Sequence, residues 1–200
     1  MAEQAVGTVQ LAAYDTRLTD ALVPFEVPGA PGRQFFRNAG RLRHRGVEAS
    51  AAGAGGAHLS ARVAYTLVNA RFDRYTAGDS SYAGRRVPGV APRRLDAAVE
   101  WRADGGAFVA VESRAQSWTV ADDPNRARSP GYFLTGVRGG LGAVRVGGAE
   151  MRPFAGLTNA FDVRYDAAVT VNAAGARYFE PGPGRSLYVG ADLTVGRRAR

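Results

Sequence analysis

Hydrophobicity in this chain repeats every second residue, and that period admits extended strands and little else. From Ser186 to Val195, the residues Leu187, Val189, Ala191, Leu193 and Val195 fall on one face, and Ser186, Tyr188, Gly190, Asp192 and Thr194 fall on the other. Successive side chains of a strand point to opposite faces, so such a run has one apolar and one polar side. The pattern recurs at Leu95–Arg102, where Leu95, Ala97, Val99 and Trp101 oppose Asp96, Ala98, Glu100 and Arg102, and again at His58–Leu67. It is weaker after Ala107 and between Met151 and Thr158. Eight strands are predicted, near 7–20, 38–52, 57–73, 93–103, 106–119, 130–142, 148–158 and 185–196.

The connections alternate in length. Ala52–Gly56, Ala103–Gly106 and Gly142–Gly148 are short glycine-rich reversals. Between them lie long stretches at 21–37, 74–92, 120–129 and 159–184, rich in Gly, Pro, Asp, Asn and Arg, which read as irregular loops. A soluble sandwich has no reason to alternate its loops in this way, whereas an antiparallel meander through a membrane does, with turns on one side and loops on the other. No run approaches the ~20 apolar residues of a spanning helix, but a spanning strand needs only ~9–11. The expected fold is all-β: an antiparallel up-and-down transmembrane β-barrel segment of about eight strands. Tyr14, Tyr65, Phe72, Tyr75, Trp101, Trp118, Tyr132, Phe133 and Tyr188 lie toward strand ends, where interfacial girdles place aromatic rings.

The formal net charge is +8, and every basic side chain is arginine. These arginines are scattered through the chain instead of clustering on one face or helix, so nucleic acid is not an expected partner; a basic soluble β protein that binds nucleic acid or anions is the weakest reading. There are no cysteines, and the two histidines, His44 and His58, sit in unrelated contexts, so neither a thiolate site nor a converging metal site is predicted. Glu100, Glu112, Glu150, Asp96 and Asp192 alternate with arginines as a water-exposed charged wall would. No nucleophile triad or phosphate-binding glycine loop appears, so neither enzyme activity nor a cofactor is expected.

Four local groups carry more information. Asn38-Ala39-Gly40 is followed by Gly46-Val47-Glu48. Val87-Pro88-Gly89-Val90-Ala91-Pro92-Arg93 precedes a strand. Asn159-Ala160-Phe161-Asp162 is followed by Tyr165. Arg177-Tyr178-Phe179-Glu180-Pro181-Gly182-Pro183-Gly184-Arg185 leads into the last strand. Their order and spacing from about Leu11 to Val195 resemble the barrel of TonB-dependent outer-membrane receptors. The motif residues Asn38, Gly40, Gly46, Glu48, Pro88, Gly89, Asn159, Phe161, Asp162, Tyr165, Pro181, Gly182 and Arg185 read as architectural. Glycines 40 and 46 let strands crowd or bulge. Asn159 and Asp162 bond nearby backbone. The prolines mark loops and strand starts. Arg185 and Glu180 are placed to pair at the rim.

The resemblance implies a 22-stranded barrel with an N-terminal plug, taking up an iron-siderophore or a similarly scarce ligand. Set against it, residues 1–200 read as the C-terminal portion of such a barrel. Plug, signal peptide, TonB box and terminal aromatic residue are not recognisable, and the expectation is a fragment not active alone. The expected partners are outer-membrane lipid and lipopolysaccharide, the TonB energy-coupling complex through the plug of a full-length parent, and an anionic metal-chelate ligand. The expected location is the outer membrane of a Gram-negative bacterium. The loop arginines Arg74, Arg85, Arg86, Arg126, Arg128 and Arg177, with Arg71 and Arg164, would suit an anionic ligand or lipopolysaccharide phosphates. The alternative reading is a small self-contained eight-stranded barrel with a structural or adhesive role.

Overall fold

The computed structural model describes residues 6–195. Residue 196 of the last expected strand, and the arginine-rich end beyond it, lie outside the described residues. Eight long strands form one antiparallel sheet: β1 Val6–Thr19, β2 Arg41–Gly55, β3 Leu59–Arg74, β4 Arg93–Arg102, β5 Phe108–Gln116, β6 Tyr132–Gly140, β7 Ala149–Thr158 and β8 Ser186–Val195. Each pairs with the next in chain order, a simple meander. The boundaries match the alternation to within a few residues. The largest difference is at Gly53-Ala54-Gly55, expected in a turn but found in β2 opposite Leu59, Ser60 and Ala61. Small residues read as turn formers in isolation, and here cross-strand hydrogen bonds hold them extended. The third reversal is also more ordered than expected. Val144–Val146 extends the β6 column and pairs with the start of β7 through a tight turn at Gly147.

Register decides which side chains share a face, because directly opposed residues point the same way. Following the pairs from β1 to β8 gathers every apolar set onto one surface. Leu11 opposes Ala49, which opposes Tyr65, which opposes Leu95. Val63, Ala97 and Ser113 continue one tier; Val99, Val111, Val137, Leu157 and Leu187 form another. This surface is exposed: Val9 is 80% accessible, Leu187 74% and Val189 77%. Along β3 it runs from Leu59 to Leu67, and eight steps at ~3.3 Å span about 26 Å.

The opposite surface is polar and laced with ion pairs. Asp96 bonds Arg94 and Arg114 at 2.9 and 2.8 Å, and Glu100 bonds Arg102 at 2.6 Å with Arg138 at 3.7 Å. Arg62 reaches Glu112 at 3.5 Å. These groups are half exposed, so each pair contributes only ~0–1 kcal/mol. Their value is that no charge on this face stands against the apolar belt.

Aromatic rings on this polar face lie over glycines directly across the ladder. Tyr14 covers Gly46, Tyr188 covers Gly156, Phe154 covers Gly190 and Phe108 covers Gly140. A bare glycine weakens a strand, and a ring folded over it restores packing. This corrects the expected girdle. Tyr14, Tyr132 and Tyr188 fall on the polar face by parity, while Phe72 and Tyr75 are buried at 1% and 2% exposure. Of the nine rings, Tyr65, Trp101 and Phe133 stand on the apolar face within the strands.

Among the described residues β1 and β8 do not pair, so the wall is an open sheet with one free edge on each. The self-contained eight-stranded barrel would require that pairing.

Replacing Gly46 with Val puts branched carbon where the Tyr14 ring lies and 2.7 Å or less from the Leu67 carbonyl oxygen. Overpacking of this kind costs about 1–3 kcal/mol. The expected result is a lower denaturation midpoint in detergent for Gly46→Val, partly restored by Tyr14→Ala in the same chain.

Candidate functional site

All four long connections leave the same end of the wall, since the three short reversals occupy the other. Each connection, expected to be irregular, carries its own two-stranded ladder: Leu22–Phe25 with Phe35–Asn38, Thr76–Ala77 with Ser80–Ser81, Thr119–Val120 with Arg128–Ser129, and Asp166–Val169 with Phe179–Pro181. Together they form a platform, and the best-buried residues of the chain lie beneath it. Val23, Ala39, Leu42, Phe72 and Tyr75 make one cluster, flanked by Tyr82 and Val87. Leu42 and Phe72 are polar-face positions of β2 and β3, so the core sits where the polar face of the wall meets its loops.

Asn172 in the fourth loop ties the platform together. Its N–H donates to the Ala121 carbonyl at 2.9 Å and its carbonyl accepts from the Glu26 N–H at 3.2 Å. Its side-chain oxygen accepts from the Asp123 N–H at 2.9 Å, and its amide nitrogen donates to the Pro24 carbonyl at 3.0 Å. One residue thereby joins the first, third and fourth loops. A positive φ of 52°, which asparagine tolerates better than most residues, aims it. Glu26, its side chain 5% exposed, adds Arg177 at 3.4 Å and the Ala174 N–H at 3.1 Å.

The second and third loops lock through Asn125. Its side-chain oxygen accepts from the Arg86 N–H at 2.8 Å, and its amide donates to the Arg86 carbonyl at 3.0 Å. Asp122 turns the third loop by accepting from the N–H groups of Arg126 and Ala127. Buried beside it, Asp123 accepts from the Tyr75 hydroxyl at 2.8 Å with one carboxyl oxygen, while the other is buried without a partner among the described residues. Burial pushes the Asp123 carboxyl above its ordinary range, more than the Tyr75 and Asn172 hydrogen bonds and the Arg37 charge pull it down. Burial and the same contact raise the Tyr75 phenol.

The sequence motifs land at the feet of this platform. Asn38 caps the first loop, donating to Asp20 and accepting from the Gly40 N–H at 2.6 Å. Gly40 has φ +68°, and a Cβ there would lie 2.6 Å from the Arg74 carbonyl oxygen. Glu48 is exposed on the polar face opposite Ala12 and Thr66. Pro88 is buried, and Gly89 at φ +79° donates to the Val120 carbonyl at 2.9 Å. Two motifs far apart in sequence meet in one knot. The Asn159 side chain bonds both Val163 and the Pro183 carbonyl, Asp162 accepts from the Arg185 N–H at 2.8 Å, and the Tyr165 ring lies over Gly182, next after Pro181. Phe161 is 70% exposed. The Arg185–Glu180 pair does not form; Glu180 accepts instead from the Thr170 hydroxyl at 3.3 Å.

Of the six loop arginines only Arg86 and Arg128 come together. Arg74, Arg85, Arg126 and Arg128 are exposed and Arg177 reaches Glu26, while the Arg86 and Arg128 guanidiniums lie over the Trp118 ring at 5.0 and 4.1 Å. Asn172, Asp123 and Glu26 were not singled out from sequence, and Tyr75 was expected only as a girdle aromatic. A signal existed only for the turn Asp122-Asp123-Pro124-Asn125, a dense run of backbone-bonding side chains.

An antiparallel meander with one apolar face, one charged face, short turns at one end and interlocked loops at the other defines the class of outer-membrane β-barrels. The sequence matches the family described as TonB dependent receptor-like, beta-barrel, over residues 4–192. The chain belongs to that family. Solved structures agree on the fold. The siderophore receptor PiuA from Acinetobacter baumannii superposes with a TM-score of 0.71 at 15% identity, covering 94% of this chain and 26% of that one. The ferric yersiniabactin uptake receptor FyuA from Yersinia pestis gives 0.69 at 21% identity, covering 96% and 28%. BauA, the ferric preacinetobactin receptor from Acinetobacter baumannii, gives 0.69 at 18% identity, covering 94% and 27%. This chain therefore spans about a quarter of the length of the receptors it matches.

Asn172→Ala removes two part-buried side-chain hydrogen bonds and strands their partners. The expected cost is roughly 2–4 kcal/mol, read as faster amide hydrogen exchange at Glu26 and Asp123 with the β4–β5 amides unchanged.

Because its folded pKa is raised, Asp123 contributes stability that is complete below the ordinary aspartate value of about 3.9 and is lost as pH rises through the raised value. In a Trp101→Phe background, the denaturation midpoint followed by Trp118 fluorescence should fall over that window. Asp123→Asn should flatten the dependence.

Proposed function

We propose that this chain is a lipid-embedded part of the wall of an outer-membrane receptor, its loop platform forming part of the extracellular mouth through which a scarce metal-chelate cargo enters. The observation that carries the reading is the register. Eight strands in succession put apolar residues on one face and paired charges on the other, with every long loop at one end. Family membership and the siderophore-receptor neighbours support the cargo class.

Residues 1–200 in this reading are the C-terminal stretch of a larger barrel. An open edge in hydrocarbon leaves each backbone polar group unsatisfied at a cost of several kcal/mol, so the free edges of β1 and β8 call for further strands. The concave polar face would then line a wide lumen, and transport would draw on the TonB complex through a plug seated against it. Arg74, Arg85, Arg126 and Arg177 are the mouth candidates for an anionic chelate. Neutralising all four in the receptor that contains this wall should raise the ferric-chelate concentration needed for half-maximal uptake at least several-fold; unchanged uptake would remove them.

The membrane placement has a sharper test. Val63 and Ala64 are exposed neighbours on opposite faces near the middle of the apolar belt of β3. Val63→Arg should cost about 2–4 kcal/mol in denaturation from bilayers, and Ala64→Arg, which faces Asp96, little. Equal effects at both positions would sink the lipid-facing assignment.

A further inference from the structure

The arginines at the loop end divide by face, and one row turns away from the lumen. Arg17 opposes Arg43 and Arg43 opposes Arg71, and Arg71 is bridged to Arg86 of the second loop. Parity sets the strand members of this row on the same face as Val47 and Leu67, four residues beyond the end of the apolar belt. Val87 packs into the loop-end core, so its neighbour Arg86 points the other way, toward Arg71. Arg86 and Arg128 then share the Trp118 ring.

Counter-charge is scarce along the row. Arg43 is paired with Asp15, but among the described residues Arg17, Arg71, Arg86 and Arg128 have no carboxylate within 4.0 Å. The Arg71 guanidinium bonds only neutral oxygens, the Asn69 side chain at 3.1 Å and the Gly84 carbonyl at 2.5 Å. Partial burial and the charges of Arg71 and Arg128 lower the Arg86 pKa, as expected where cations are held together. Guanidiniums in this arrangement are relieved by an anion with several acceptor oxygens, and phosphate takes their planar fork well.

Position selects the anion. The row adjoins the hydrocarbon-facing belt at its loop end, where headgroups lie, and an indole sits at the same level, as interfacial rings do. Resting on the membrane reading given above, we propose that Arg17, Arg43, Arg71, Arg86 and Arg128 with Trp118 form a docking site for the phosphate groups of an anionic outer-leaflet lipid. Arg86 and Arg128 thus serve the lipid collar, separate from the cargo mouth.

The test reconstitutes the receptor that contains this wall into phosphatidylcholine bilayers doped with bis-phosphorylated lipid A or with the same lipid stripped of its phosphates, and native mass spectrometry reads the retained lipid. The phosphorylated form should be retained at least tenfold better. That preference should vanish in the triple variant Arg71→Gln, Arg86→Gln, Arg128→Gln and persist in Arg62→Gln on the lumen face. Equal retention of the two lipids by the unmodified receptor overturns the proposal without needing any variant, and so does a preference that survives the triple change. Arginine-dependent binding of inorganic phosphate by the detergent-solubilised receptor, with no lipid preference in bilayers, would reassign the row to a free anion. Failure of the unmodified receptor to insert, read by heat-modifiable gel mobility, would instead overturn the membrane reading itself.

Discussion

The pairing register between neighbouring strands is the constraint on which everything else in this molecule depends. A slip of one residue would send an entire strand's side chains to the wrong face. With the register as it stands, Leu59 to Leu67 and their counterparts on seven other strands make a continuous apolar surface, and Asp96, Glu100, Arg114 and Arg138 meet as paired charges behind it. Neither surface could exist without the other. The ion pairs add little stability singly, but they gather and balance charge on one face while its reverse carries the apolar belt.

Aromatic rings over glycines reinforce that register. Tyr14 fits only where β2 presents Gly46, and Tyr188 only where β7 presents Gly156. A shifted strand would bring a Cβ beneath each ring. The motif glycine at 46 therefore reports a steric match between strands. Gly40 reports a different need, a positive φ beside the Arg74 carbonyl where the first loop returns to the sheet.

The platform obeys another logic. A wall one sheet thick has no interior of its own, so the buried apolar cluster forms where loops fold back onto its polar face. Buried loop backbone must find partners, and Asn172, Asn125 and Asp122 supply them. That economy concentrates the cohesion of three loops in Asn172, and it leaves the second and third loops tied by Asn125. It also buries the carboxyl of Asp123 at a point where its charge is costly.

Strand number, boundaries, facing and the alternation of turns with loops were legible in the sequence, because each strand writes its own orientation in a two-residue period that needs no knowledge of its neighbours. The motif residues could also be found, as local turn and crowding chemistry. What only the tertiary structure decided were the contacts between segments distant in sequence: the meeting of Asn159 and Asp162 with Pro183 and Arg185, the bond from Asn172 to Pro24, and the meeting of Arg86 and Arg128 over the Trp118 ring. Phe72 and Tyr75 show the reason most plainly. By position they read as girdle aromatics, and they are buried because the loops return over them, a closure that no local pattern encodes.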